Sequence, residues 1–275
     1  PALVGTTLPF WLKPPGFSFK AFEAIEFLIA ILFFHTGISF LYAHFENKTA
    51  TIRSKSQLLL IGIFCLLTAI LIGLNINNNL ELNKYVHKSI FIIYGFSAIF
   101  IGALYVVPFS FFRRMGGETI LCVGLGMMPV LGAYIIQASD LTRTVYLASL
   151  PIVVSTGLWV WISELISRSD DENSGHKTMV MLFSVPFAGR FVTTILTVLI
   201  YLSLVLAVFG RSSLNPLSLT ALLSIGFALK IISLSMKELS IIKNMLKARK
   251  YAFLIHLTLC IIIIVSSLLT EFTGL

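Results

Sequence analysis

Apolar residues along this chain fall into continuous stretches of about 20, the length that crosses a bilayer as a helix, separated by short polar turns. The pattern predicts helices at 1–12, 21–42, 57–74, 86–107, 117–137, 144–165, 191–209, 215–235 and 251–271. Strands of a membrane barrel would alternate apolar and polar positions over segments of about 10 residues. These stretches do not alternate, and only a helix satisfies the whole backbone of a continuous apolar stretch in lipid. The expected fold class is all-α: a polytopic membrane helix bundle of about nine transmembrane helices, with 1–275 as one transmembrane domain. The first helix is too short for about 30 Å of hydrocarbon and begins at Pro1, so an upstream piece of helix 1 is expected to be missing from the sequence. No signal peptide is read there. The apolar stretch Met179–Gly210 is too long for one span and is interrupted by Pro186, Gly189 and Arg190. Residues 178–190 are therefore expected to run along the membrane interface, with helix 7 starting near Phe191.

Composition strengthens this reading. Of the 275 residues, 57% are hydrophobic and 12% charged, and the mean hydropathy is +0.95. A soluble domain of ordinary composition has about 25% charged residues. With half that share the chain has no means of covering a water-facing surface, and the solvent must be lipid. Cys65, Cys122 and Cys260 each sit inside an apolar stretch, with no CxxC and no Cys/His cluster. They read as small apolar filler.

Charge then orients the bundle. The loops after helices 2, 4, 6 and 8, with their flanking helix ends, hold 14 of the 20 Lys and Arg residues, and the opposite set holds 6. The positive-inside rule puts the first set in the cytoplasm. The net charge of +8 is accounted for by topology, and no nucleic acid partner is needed. The segment holding Lys237, Lys243, Lys247, Arg249 and Lys250 reads as a helix end and interfacial turn attracted to anionic lipid.

Two segments on the expected cytoplasmic face hold nearly all the suggestive polar residues. One closes helix 2, from His35 through Tyr42, Ala43, His44 and Glu46 to Lys48. The other closes helix 6, from Ser163 and Glu164 through Ser167, Arg168, Asp170, Asp171 and Glu172 to Gly175, His176, Lys177 and Thr178. Helices 2 and 6 run in the same direction, so the two segments are expected to converge over one cavity. Between them lie Tyr105-Val-Val-Pro108, Arg113-Arg114-Met-Gly116-Gly117-Glu118 and Pro129-Val-Leu-Gly132-Ala-Tyr134-Ile-Ile-Gln137.

Taken together these segments resemble the UbiA superfamily of intramembrane prenyltransferases, most closely its menaquinone-type branch, which prenylates dihydroxynaphthoate. In that family helix 2 ends in a pattern like H-x-G-x-N-x-x-N-D-x-x-D, and helix 6 in one like N-E-x-x-D-x-x-x-D-x-x-x-G-K-x-T-L. This chain keeps His35 and Gly37 of the first, and Glu164, Asp171, Gly175 and Thr178 of the second, with Lys177 one position past the expected lysine. The resemblance implies a UbiA-like bundle in which two Asp-rich motifs hold Mg²⁺ on the diphosphate of an isoprenyl donor while an aromatic acceptor attacks. Mg²⁺ takes hard oxygen ligands, usually one or two carboxylates with phosphate and water.

Here the chain departs from the pattern. Tyr42 and Ala43 stand where the first motif has Asn and Asp, and Ser163 and Ser167 where the second has Asn and Asp. Glu46 and Asp171 are the residual catalytic and metal positions. His35, Lys48, Arg113, Arg114, Glu164 and Lys177 are the candidate substrate-binding residues. Simpler roles stand beside these: a solvated helix cap for Glu46 and Lys48, positive-inside placement for Arg113 and Arg114, a structural hydrogen bond for His35, and an interfacial aromatic belt for Trp159 and Trp161.

Three readings remain open. One is a catalytically degenerate homologue, a pseudoenzyme that binds an isoprenoid or quinone-like lipid or serves as a subunit of a membrane complex. Another is a divergent Mg²⁺-dependent prenyltransferase acting on an aromatic quinone precursor. The third is a cyclase or other lipid enzyme. Mg²⁺ is expected only if the chain is active, the partners are membrane lipid or isoprenoid and complex subunits, and the expected location is the bacterial inner membrane.

Overall fold

The architecture follows from the apolar stretches, each wound into a helix. The computed structural model describes residues 1–14, 17–46, 52–79, 85–106, 116–138, 141–175, 177–210, 214–238 and 241–273. The helices are α1 (Ala2–Leu12), α2 (Ala21–Glu46), α3 (Ile52–Asn79), α4 (Tyr85–Val106), α5 (Gly117–Ala138), α6 (Arg143–Ser174), α7 (Val185–Phe209), α8 (Pro216–Ser224 as 3₁₀ helix, then Ile225–Glu238 as α-helix) and α9 (Ile242–Thr273). Among the described residues, eight helices are long and apolar enough to cross a membrane, and α1 is the short ninth. Among the described residues two spans carry π-helical segments, Cys122–Met127 in α5 and Ala188–Val192 in α7.

Several helices outrun their apolar stretches. The polar continuation of α6 to Ser174 is supported by side-chain pairs one turn apart, Ser167 donating to Asp171 at 2.8 Å and Arg168 to Glu172 at 3.2 Å. It stops at Gly175, whose φ of 78° is the left-handed cap conformation that glycine adopts without steric cost. The motif glycine is thus a helix stop. α9 begins at Ile242, so the basic residues Lys243, Lys247, Arg249 and Lys250 lie in its opening turns, where an interfacial turn was expected. The expectation for 178–190 is corrected as well. A 3₁₀ turn covers Met179–Leu182 and α7 starts at Val185, six residues before Phe191. Pro186 falls in the first turn of α7, where its missing N–H has no helical partner to lose.

Two groups of helices share α5. The larger core packs α6, α7, α8 and α9 around residues such as Ile152, Leu158, Ile162, Ile200, Leu204 and Ile255, and α1 seals it with Val4 and Leu8. Gly5 lets α1 lie directly on the Val130 carbonyl of α5. Polar side chains in these spans pair across helices, as membrane interiors require: Ser155 with His256 at 2.9 Å, Tyr201 with Ser224 at 2.9 Å, and Ser218 with Ser266 at 2.8 Å. In the smaller group α2 and α3 pack closely where Gly37 faces Gly62. A Cβ on Gly37 would meet Leu66 Cγ at 2.9 Å and the Gly62 carbonyl at 3.0 Å. Beyond Gly37, His44 Nδ1 donates to the Lys55 carbonyl at 2.7 Å and ties the end of α2 to the start of α3.

A two-lobed cavity and the carboxylates at its mouth

The α2–α3 pair packs tightly, but α4 stands off from it, and small residues keep the gap open. Gly73 of α3 and Gly95 of α4 line the resulting cavity, and a Cβ on either would meet nothing within 4 Å. The apolar lobe has a volume of about 250 Å³ and is walled by Phe27, Phe34, Ile70, Phe91 and Phe96. Tyr94 presents its ring there, its hydroxyl being committed to the Met128 carbonyl at 2.7 Å. The second lobe, about 190 Å³, extends towards the ends of α2 and α4 past Ile38, Ser39, Gly102 and Tyr105. Phe34, His35, Ala98, Gly124 and Met128 line both lobes. His35 of the helix 2 motif therefore sits where they meet, a polar ring among hydrocarbon walls.

Tyr105 marks the motif end of the second lobe. The Tyr42 ring packs on it, with centroids 5.1 Å apart and planes at 35°. Within Coulombic reach of Tyr105 is the carboxylate of Glu164. Glu164 is 6% exposed, and Asp171 and Glu118 act on it electrostatically. Glu118, in the first turn of α5, is 5% exposed and accepts the Met179 N–H at 2.6 Å. Its second oxygen, Oε2, has no hydrogen-bond partner, nor has the hydroxyl of Thr178, which is 2% exposed. Arg168 holds the same loop by donating to the Val180 carbonyl at 3.0 Å and the Phe183 carbonyl at 2.9 Å.

The predicted site residues divide accordingly. His35 lines the cavity, Glu164 is buried, and Asp171 is half-buried with its Oδ2 accepting from the Ser167 hydroxyl. Lys177 is exposed on the loop. Lys48, Arg113, Arg114 and the side chain of Glu46 lie outside the described residues. Trp161, expected in an interfacial belt, is 5% exposed and donates to the Ala188 carbonyl at 3.2 Å, pinning α7 to α6. Glu118, Tyr105 and Thr178 stood in the motif segments without an assigned role. A single carboxylate opening an otherwise apolar span was the available signal for Glu118.

A two-motif Mg²⁺ clamp needs carboxylates from α2 facing those of α6. At the described motif positions α2 offers Tyr42 and Ala43, and the Asp171 Oδ2 of α6 is engaged by Ser167. Among the described residues no three His, Cys, Asp or Glu side chains stand together as a metal cluster. The described donor set does not fit the clamp.

A bundle of apolar spans enclosing a cavity with hydrocarbon walls defines an integral membrane protein. The UbiA prenyltransferase family model matches residues 49–257, and the chain belongs to that family. One solved structure of similar fold comes from a study of "the biosynthesis of Digeranylgeranylglyceryl phosphate synthase in membranes"; it has a TM-score of 0.64 and 13% identity, over 97% of this chain and 92% of that one. A search of curated proteins finds no match.

Proposed function

We propose that this chain holds an isoprenoid or quinone-like lipid in its two-lobed cavity and does not transfer a prenyl group by Mg²⁺ chemistry. The observation that carries this reading is the Tyr42–Tyr105 ring pair, which puts an aromatic pair at the mouth where the family pattern puts metal-holding Asn and Asp. Breaking an allylic C–O bond to diphosphate requires the departing charge to be neutralised at that point. Tyr42 and Ala43 supply no anionic oxygen to hold a metal there. The apolar lobe, walled by phenylalanines, suits a prenyl tail, and His35, Ser39 and Tyr105 in the second lobe suit an oxygenated ring. Resemblance to the menaquinone-type branch favours a naphthoquinone-like head. The positive-inside rule places the motif end in the cytoplasm.

A second reading, an active divergent transferase, is favoured by one observation: Asp171 and Glu118 both lie within electrostatic reach of the Glu164 carboxylate. Incubation in nanodiscs with radiolabelled prenyl diphosphates and dihydroxynaphthoate or hydroxybenzoate separates the two. No EDTA-sensitive product is expected. Turnover that EDTA abolishes and Asp171→Asn removes would sink the lipid-holding reading. Binding is tested with Gly95→Phe, which fills the apolar lobe from a position with open space around its Cβ. Retention of a prenylated quinone is expected to fall at least tenfold while thermal stability stays near that of the parent chain. Unchanged retention refutes the cavity as the site.

A further inference from the structure

One ring contact fixes the register of α8 against α9. α8 ends at Glu238 and α9 begins at Ile242, a connection short enough to make an antiparallel helical hairpin. Phe227 of α8 stacks on Tyr251 of α9, with centroids 6.0 Å apart and planes at 21°. Residues three and four apart share a helix face. Going from the ring pair towards the connection, the next residues on those faces are Lys230, three after Phe227, and Lys247, four before Tyr251. The two lysines therefore stand at one height, on either side of the groove between the helices. Lys243 and Lys250 flank Lys247 at the same spacing. All four lysines are exposed, and among the described residues none is paired with a carboxylate.

The depth of the groove follows from length. The apolar stretch 251–271 of α9 rises about 30 Å, which matches the hydrocarbon thickness. Tyr251 thus stands at the boundary, where tyrosine is favoured, and the lysines above it stand among headgroups. Diffuse attraction to anionic lipid is expected of any basic segment there, and positive-inside placement accounts for cations in loops. Neither accounts for Lys230, which lies inside the candidate span Pro216–Met236, level with Lys247. Neighbouring helix axes are about 8–10 Å apart, so ammonium groups from both helices can converge on one phosphate. We propose that Lys230 and Lys247, with Lys243 and Lys250 at the rim, hold the phosphate of one anionic phospholipid in the α8–α9 groove. The Phe227–Tyr251 pair supports its glycerol and acyl chains. Cations placed directly above an aromatic pair at the hydrocarbon boundary suit an amphiphile better than an acidic protein. The site is separate from the cavity and does not depend on what the cavity holds.

The test uses the full chain in nanodiscs of phosphatidylcholine doped with phosphatidylglycerol, released into detergent for native mass spectrometry. One phosphatidylglycerol per chain should be retained, saturably, in preference to phosphatidylcholine. Lys247→Gln should weaken retention about fivefold, and Lys230→Gln with Lys247→Gln about thirtyfold. Arg249→Gln is the control. It removes the same charge from the same exposed turn, but two residues from Lys247 it points about 200° away around the helix. Its effect should be less than about twofold, because a bound lipid reads position where a diffuse field reads only charge. Tm checks that each variant folds, and if the double variant does not, Lys247→Gln against Arg249→Gln decides. Equal losses in those two variants, or equal retention of the two lipids, overturn the proposal. So does release of the lipid by inorganic phosphate, which identifies a site for free anions. Binding of poly-glutamate with no lipid retained assigns the lysines to an acidic protein and overturns it equally.

Discussion

Replacing Arg168 by Met isolates what fastens the loop between α6 and α7. Methionine keeps most of the apolar stem and removes the donors. Three bonds are lost, to the Val180 carbonyl at 3.0 Å, the Phe183 carbonyl at 2.9 Å and Glu172 at 3.2 Å. They are not equal. Glu172 is 57% exposed, and an exposed i,i+4 pair contributes about 0.3–0.5 kcal/mol. Hydrogen bonds from a charged donor contribute about 1.5–3 kcal/mol each, and the Arg168 side chain is only 18% exposed. Two such bonds, discounted for relaxation of the loop, come to about 3 kcal/mol, which is about a hundredfold in a local opening equilibrium. The reporter is hydrogen exchange across 178–192 in nanodiscs, read at the amides of Met179, Met181 and Ala188, which bond to Glu118, Thr178 and Ser184 at 2.6, 3.1 and 2.9 Å. Arg168→Met should speed exchange there about a hundredfold and leave α9 unaffected. Glu172→Gln should change it by less than about threefold. If the two variants behave alike, or if Arg168→Met is silent, the loop is not held by the carbonyl bonds.

Gly37→Leu should destabilise the chain by about 1–3 kcal/mol, seen as a lower Tm, because its Cβ meets both Leu66 and the Gly62 backbone. Adding Leu66→Ala should recover only part of the loss, since the Gly62 carbonyl at 3.0 Å has no means of retreat; full recovery counts against close helix approach as the cause. Gln137→Leu removes the clasp in which Lys20 N donates to Gln137 Oε1 at 3.0 Å and Gln137 Nε2 donates to the Lys20 carbonyl at 2.8 Å. A loss of about 2 kcal/mol and faster exchange at the amide of Lys20 are expected, and an unchanged Tm contradicts the clasp. Trp161→Phe should keep the packing and lose the donor to Ala188, lowering Tm by an amount consistent with about 1 kcal/mol; no change at all means the bond contributes nothing.

The number and order of helices were legible because hydrocarbon thickness sets a length that apolar stretches must match. Their ends were not. Asp170, Asp171 and Glu172 carry no apolar signal, and α6 continues through them on one-turn side-chain pairs that a hydropathy reading does not register. Pro186 read as a break, whereas at the opening of a helix proline is a start. In the candidate site, motif spacing singled out His35 and Glu164; the structure has His35 lining the cavity and Glu164 buried. The partnering of Glu118 with the loop after α6 was invisible, because it joins residues 61 apart in sequence through a single backbone amide. Trp161 illustrates the same limit, since belt and core tryptophans are alike in sequence until a neighbouring carbonyl is known.

The π-helical segment Cys122–Met127 gives α5 two halves that are out of phase. Each residue of an α-helix turns the chain by about 100°, so a single surplus residue swings everything before it around the axis relative to everything after. The half from Val130 to Gln137 is fixed against α1 and Lys20. Shortening the segment by one residue would leave that half in place and rotate Glu118 away from Met179 without altering one side chain at the mouth. In this helix, length is as much a determinant of the site as identity. A relative that keeps the glutamate but lacks the surplus residue presents its carboxylate to a different neighbour, and an ungapped alignment of the two would hide the difference.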